Sequence, residues 1–369
     1  MALRLDAPLF WAAVVGVGAS ASAFAPHTPL TGLLLLPVAL ERAGSWGRKL
    51  LIGICFGAAM SWQLIPVLVG YGFSAGPVVF AIAAVVILQA VVMSGLPVLL
   101  AMAVLFFSPV FWGHPIFALW GVSPVHGHAA VVFGGVVLAL ICVRRTQLAG
   151  LGVYAACALL TVVVSAPARS PTVIGVDTAF TSRSFLPATD WSEVAGQVER
   201  VSATGKFAIA LPESTIEGDW GRGEVYFREV AQLTGHDLLV GESTPRGQVI
   251  RWVSNTDPKV VTVYRQRQPI LGVDWHPWNA RGEVEAAFGN GVASVDIGKG
   301  RRERLGFLIC YEGYLALPWA ETIIADPQAI VVIANDRWSR GSRYPVAARK
   351  IRAAAEQAAG VDVIAARNR

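Results

Sequence analysis

The sequence predicts a multi-span α-helical membrane domain over residues 1–168, followed by an α/β domain over residues 169–369. Three observations lead there. From Pro8 to Ser165 nearly every residue is apolar. From Pro171 onward apolar stretches alternate with polar ones, as in a water-soluble α/β chain. The mean hydropathy of +0.54 is too high for a soluble chain, and one long apolar half explains it.

A spanning helix needs roughly 20 mostly apolar residues, with about 17 as a lower end, and about seven runs are candidates. They are Pro8–Ala25, Pro29–Ala43, Leu50–Gly70, Pro77–Met93, Gly95–Trp112, His128–Val143 and Leu148–Ser165. The second is short. The first is followed by further apolar runs, so it reads as a span and not as a cleaved leader. Arg4, Arg42, Arg48, Lys49, Arg144 and Arg145 fall in alternate loops, while the stretches around Tyr71–Gly76 and Gly113–Gly127 carry no Lys or Arg. The positive-inside rule makes the basic side cytoplasmic. The chain is therefore expected in the inner (plasma) membrane, multi-pass, with its C-terminal domain extracytoplasmic. No Asp, Glu, Lys or Arg lies in the middle of a span, where an ion-coupled transporter would place one, so this half reads as an anchor. Gln89 and Trp62 read as helix-packing residues. The formal charge of +5 is not gathered into a stripe, and no nucleic-acid partner is expected.

The second half alternates strand and helix patterns. Thr172–Asp177 is β-branched and apolar. Asp190, with Glu193 three positions on, forms a capping box that opens a helix. Phe207–Leu211 is a buried strand, Gly223–Leu233 a helix, and Asp237–Val240, Gln248–Val253 and Val260–Tyr264 are strands. Strands over Ala293–Ile297 and Leu305–Ile309 precede a helix over Tyr314–Ile324. A strand over Ile330–Ala334, a helix over Tyr344–Ala359 and a strand over Val361–Ala365 complete the pattern. Such alternation implies sheets covered by helices.

Open α/β sheets place their chemistry at strand C-termini. Three such ends carry reactive side chains: Glu213, Cys310, and Asp336 with its neighbour Asn335. Cys55, Cys142 and Cys157 lie in apolar runs and read as small buried hydrophobes, which leaves Cys310 as the single cysteine of the second half. Taken singly, Glu213 fits a helix cap or an ion pair, and Cys310 fits a core thiol. Together they fit covalent catalysis, in which a base takes the thiol proton and donors hold the oxyanion. A carboxyl group in an apolar crevice accepts a proton near neutrality more readily than one in water. No cofactor and no metal are expected.

The residues around these positions carry a resemblance. Leu211-Pro212-Glu213-Ser214 and Ile309-Cys310-Tyr311-Glu312 resemble the glutamate and cysteine motifs of the nitrilase (carbon–nitrogen hydrolase) superfamily, and Ile333-Ala334-Asn335-Asp336-Arg337-Trp338 resembles the stretch that follows that cysteine. An apolar half before such a domain resembles the membrane-fused branch of the superfamily. That branch contains the apolipoprotein N-acyltransferases and, closer in size and in the segment Tyr264–Pro269, the conjugal transfer proteins of the TraB kind. The resemblance implies a nitrilase-type αββα sandwich, with Glu213 as general base and Cys310 as the nucleophile that forms a thioester. Tyr311 and Glu312 match motif neighbours of the cysteine, Glu312 as a supporting carboxylate, and Asn335 and Asp336 are supporting residues. Where the family carries a catalytic lysine, this chain reads Gln266, flanked by Arg265 and Arg267. On a strand these two point to the opposite face, unless a bulge turns one inward. An arginine there would hold an oxyanion by permanent charge, a glutamine by a weaker neutral hydrogen bond. The function so implied is an N-acyltransferase or amidase associated with conjugal transfer. A membrane lipid, a lipid-modified protein or the conjugation machinery would be its partner. The alternative is a nitrilase-fold scaffold with little or no catalysis.

Overall fold

The structure is a computed structural model that describes residues 7–70, 73–163, 172–178, 195–201, 208–217, 220–244, 246–257, 259–268, 289, 291–297, 301–339 and 342–368. It forms two compact units that are not contiguous in sequence. Unit 1 gathers Met1–Ala166, Tyr314–Leu317 and Trp338–Gly360, and unit 2 gathers Pro167–Gly313, Pro318–Arg337 and Val361–Arg369.

Unit 1 is helical. Its described helices are α1 (Ala7–Phe24), α2 (Leu35–Arg42, entered through a 3-10 turn over Leu30–Leu34), α3 (Trp46–Ser61), α4 (Leu64–Gly70), α5 (Ala75–Gly95), α6 (Val98–Phe106), α7 (Ile116–Trp120), α8 (His128–Cys142) and α9 (Gln147–Val163). One of these, α5, is long and apolar enough to cross a membrane; α1, α8 and α9 are shorter apolar helices. Three of the runs expected to span are therefore corrected. Leu50–Gly70 breaks at Trp62–Gln63 into α3 and α4, and Pro66 sits in the first turn of α4. Gly95–Trp112 holds only the nine residues of α6, which begins after Pro97 and stops before Ser108-Pro109. Pro29–Ala43 holds a 3-10 turn and eight α residues. Proline removes a backbone donor and disfavours helical geometry in the residue before it, so apolar composition can continue across such points while the helix does not.

Small residues set the packing of unit 1. A Cβ on Gly53 would lie 2.9 Å from the backbone of Ala90, and one on Gly57 3.0 Å from Val86, so α3 and α5 approach as closely as their backbones allow. Gln89 is buried on α5 and donates to the Val110 carbonyl at 2.9 Å. A late helix joins this unit: α13 (Tyr344–Ala359) buries Tyr344, Ala347, Ile351, Ala354, Ala355 and Ala358, a stripe at helical spacing. It packs on α1, α7 and α8. It closes on Gly360, whose φ of +68° is left-handed.

Unit 2 holds two sheets. The first runs β1 (Val173–Gly175), β2 (Ala208–Ala210), β4 (Asp237–Thr244), β5 (Gly247–Val253), β6 (Val260–Arg265), with β3 (Ile216–Glu217) also on β4. The second runs β10 (Val363–Asn368), β9 (Ala329–Asn335), β8 (Arg301–Ile309), β7 (Val292–Ile297). β1, β2 and β4 are parallel, as are β10, β9 and β8; β5, β6 and β7 are added antiparallel. The sheets meet along their length: the Gly175 Cα faces the Ala365 backbone, Gly241 faces Ile333, and the rings of Tyr264 and Phe307 lie 5.9 Å apart. On its other face the first sheet carries α10 (195–201) and α11 (Trp220–Thr234), where Val198, Phe227, Val230 and Ala231 pack on Ile209, Leu211, Leu238 and Val240. The second sheet carries α12 (Ala316–Ile324), whose Thr322 abuts Gly306. The strand pattern read from the sequence is recovered within a few residues of each boundary. The short β3 was not legible, and the capping box at Asp190 and Glu193 lies outside the described residues.

Candidate active site

Parallel strands of both sheets end on one side of unit 2, and the candidate residues stand on those ends. β2 stops at Ala210, and the chain turns through Leu211-Pro212 to Glu213, which is buried. Ser214 follows with φ +55°, and Thr215 Oγ1 closes the corner on the Pro212 carbonyl at 2.6 Å. The Glu213 carboxylate then crosses between sheets: its Oε2 accepts the backbone N–H of Asn335, at the end of β9, at 3.0 Å. Gly241 on β4 makes room for this corner. A Cβ there would fall 2.4 Å from the Pro212 carbonyl oxygen and 2.8 Å from the Glu213 Cα.

Cys310 stands on the strand beside β9. β8 and β9 are paired up to Ile309 and Ile333, so Cys310 is one step beyond that pair and Asn335 two steps. The Cys310 backbone has φ +48°, a left-handed conformation for a residue with a Cβ. Such a residue costs on the order of 1–2 kcal/mol and persists only where its surroundings over-determine it. Here they do. The chain passes from β8 straight into a 3-10 turn over Cys310–Tyr314. Glu312, fully buried inside that turn, accepts the Ile309 N–H on Oε2 at 2.9 Å.

Glu312 is the hub. Its Oε2 also accepts the Tyr264 hydroxyl at 2.7 Å, and its Oε1 accepts the backbone N–H groups of Arg267 and, at 3.0 Å, Gln268. Three of these donors are backbone amides that can only donate, so both carboxyl oxygens serve as acceptors. Burial pushes Glu312 above the usual carboxylate range, and Arg267 and the donated hydrogen bonds pull against that push. Tyr264 is held well above the usual phenol range by burial and by the Glu312 charge. Burial also raises the Tyr311 hydroxyl.

Arg267 corrects the sequence reading. β6 ends at Arg265, so strand alternation no longer governs Arg267, and its side chain folds back into the interior. All five of its N–H groups are engaged. Nε donates to the Tyr264 hydroxyl at 2.9 Å. Nη1 donates to Glu321 at 2.7 Å and to the Gly289 carbonyl at 3.3 Å, and Nη2 to the Pro318 carbonyl at 3.1 Å and Thr322 at 3.0 Å. A guanidinium has five donors, so none is left for an oxyanion. Burial opposes its charge, but Tyr264, Glu312 and Glu321 outweigh that and raise it above the ordinary arginine range. Arg265, paired with Val249, lies on the face of β6 opposite Tyr264. Gln266 is buried; its Nε2 meets the Gln268 carbonyl at 3.3 Å and its Oε1 has no partner among the described residues.

At the far edge, Asp336 takes Arg367 Nη1 at 3.3 Å, and Arg367 Nη2 lies 3.7 Å from Asp177. This buried arginine was missed from the sequence. Its signal was the polar Arg367-Asn368 ending of an otherwise apolar strand, the same pattern that marks Asn335-Asp336. Among the described residues there is no cluster of His, Cys, Asp or Glu that would hold a metal.

No protein-family model matches the chain. It is 28% identical over 146 residues to a probable conjugal transfer protein TraB of Sinorhizobium fredii, an alignment covering 36% of this chain and 35% of that protein. It is 28% identical over 152 residues to conjugal transfer protein TraB of Agrobacterium fabrum, covering 40% of this chain and 34% of that one. The matched region spans about a third of the length of these curated relatives. Similar solved structures include an alanine mutant of the nitrilase-superfamily amidase from Nesterenkonia sp. AN1, at TM-score 0.37 and 14% identity over 56% of this chain and 79% of that chain. A glutamine mutant of the same amidase aligns at TM-score 0.34 and 15% identity over 43% of this chain and 65% of that chain.

Proposed function

We propose that the chain is a membrane-embedded enzyme of the nitrilase type that passes an acyl group through Cys310. Glu213 takes the thiol proton, the sulfur bonds to the acyl carbon, and the leaving group departs with that proton. An amine or a water then takes the acyl group from the thioester, which makes the chain an N-acyltransferase or an amidase. The observation that carries this reading is the Glu213–Asn335 hydrogen bond, which brings the β2 corner to the end of β9, beside the left-handed Cys310 just past the end of β8. The facing sheets with helices outside them fit a nitrilase-type αββα sandwich. Unit 1, with α5 long and apolar enough to span, would hold the chain in the inner membrane, with Arg42, Arg48 and Lys49 on its cytoplasmic side. A lipid or lipid-modified protein would then be within reach, in the service of conjugal transfer, as the likeness to TraB suggests.

A second reading, a scaffold of the conjugation apparatus with little or no turnover, is favoured by one finding: Arg267 is fully engaged and Gln266 brings no charge to the lysine's place. Trapping separates the two. Membranes carrying the chain, treated with an activated acyl ester, are expected to yield a hydroxylamine-labile adduct on the Cys310 peptide by mass spectrometry. An unmodified Cys310, with the ester consumed elsewhere, would leave the scaffold. Topology is tested separately: a reporter that works only outside the cytoplasm, fused after Arg169, should be active, and activity of a cytoplasm-only reporter at that junction would reverse the orientation.

A further inference from the structure

Unit 1 contains a groove of about 550 Å³ between the C-terminal halves of α1 and α3 and the start of α13. Val17 and Phe24 of α1 and Ala59 of α3 form apolar walls, and Trp62, Gln63 and Arg343 stand at the rim. α3 begins with Arg48 and Lys49, so the groove lies at the opposite end of the bundle from those charges.

Two cations of α13 approach this end, and they differ. Lys350 is committed: its Nζ donates to the Ser22 carbonyl at 2.6 Å and to Thr28 Oγ1 at 3.0 Å. Arg343, two helical turns earlier on the same face, is held only through its backbone, whose N–H donates to Gln63 Oε1. Its exposed guanidinium has no ion pair or hydrogen bond among the described residues. Trp62 beside it is 53% exposed although the chain around it is apolar. An apolar trough of this volume accepts a hydrocarbon chain. An uncommitted guanidinium takes a phosphate in bidentate geometry, and an exposed indole at a helix end is the usual side chain at headgroup depth.

We propose that this groove is a binding site for an anionic phospholipid, with one acyl chain between α1 and α3 and the phosphate on Arg343. No thiol or carboxylate lines it, so the lipid is held there and not transformed. The inference rests on the membrane reading above but not on any catalytic activity. Phe24, in the groove wall, also packs its ring on Tyr344 at 5.8 Å, and Tyr344 packs on Tyr314 at 5.8 Å. Tyr314 is the last residue of the turn that Cys310 opens.

The test uses the full chain in phosphatidylcholine vesicles carrying a minor fraction of brominated phosphatidylglycerol or, in parallel, brominated phosphatidylcholine. The emission lost on Trp62→Phe isolates Trp62 from the other tryptophans. Quenching of Trp62 should need roughly fivefold less of the anionic lipid. Arg343→Gln, which keeps the backbone bond to Gln63, should remove that preference, Arg343→Lys should retain most of it, and Arg48→Gln should leave it unchanged. Equal quenching by the two lipids, or a preference that survives Arg343→Gln, overturns the proposal. A chain that does not enter vesicles at all overturns the membrane reading instead, and the proposal with it.

Discussion

Cys310→Ala is expected to leave no thioester adduct, and Glu213→Gln to slow adduct formation by roughly 10²–10⁴-fold, the usual worth of a positioned base. Both substitutions keep the architecture. Alanine meets the same left-handed backbone at position 310 that cysteine does, and the Glu312 bond to Ile309 that holds the turn is untouched. Glutamine at 213 still offers an oxygen to the Asn335 N–H, so the link between sheets survives while the proton acceptor is lost. The measurements are adduct yield and rate by mass spectrometry, set beside the amount of protein in the membrane. An adduct on the same peptide in Cys310→Ala, or an unchanged rate in Glu213→Gln, would sink the covalent mechanism.

Arg267→Met should be the most damaging substitution outside the reactive pair, and the damage should appear first as instability. Removing the guanidinium strands Tyr264 and Thr322 without their donor and leaves the buried Glu312 carboxylate without its counter-charge. Leaving a buried charge uncompensated costs on the order of 3–5 kcal/mol. Arg267→Lys should recover only part of that, because one ammonium group cannot reach Tyr264, Glu321 and Thr322 together. Arg265→Ala should change stability and adduct rate little. If Arg267→Met instead melts like the parent and loses roughly 10²–10³ in rate, Arg267 is an oxyanion donor and not a brace.

Much of unit 2 was legible because its strands are short apolar runs bounded by turn residues, and because the reactive types stand at strand ends. The positions of Glu213, Cys310 and Asp336 just past strand ends were read that way. The role of Arg267 was not, since alternation along a strand says nothing about a residue two positions past its end. Nor was Glu312 visible as a hub: its four donors come from Ile309, Tyr264, Arg267 and Gln268, two segments some forty residues apart in sequence. In unit 1, hydrophobicity located the apolar runs but not where helices break, because the chain turns at Trp62–Gln63, Pro97 and Ser108-Pro109 with little loss of apolar character.

The membership of α13 in unit 1 has a consequence for synthesis. When α1 to α9 have been made, the face on which Tyr344, Ala347, Ile351, Ala354 and Ala355 will pack is still vacant. The helical bundle therefore waits, open on one side, while the whole of β1 to β9 emerges, and it closes only as the last helix arrives. A nascent chain arrested anywhere in that interval exposes an apolar seam to whatever chaperone or neighbouring helix is at hand.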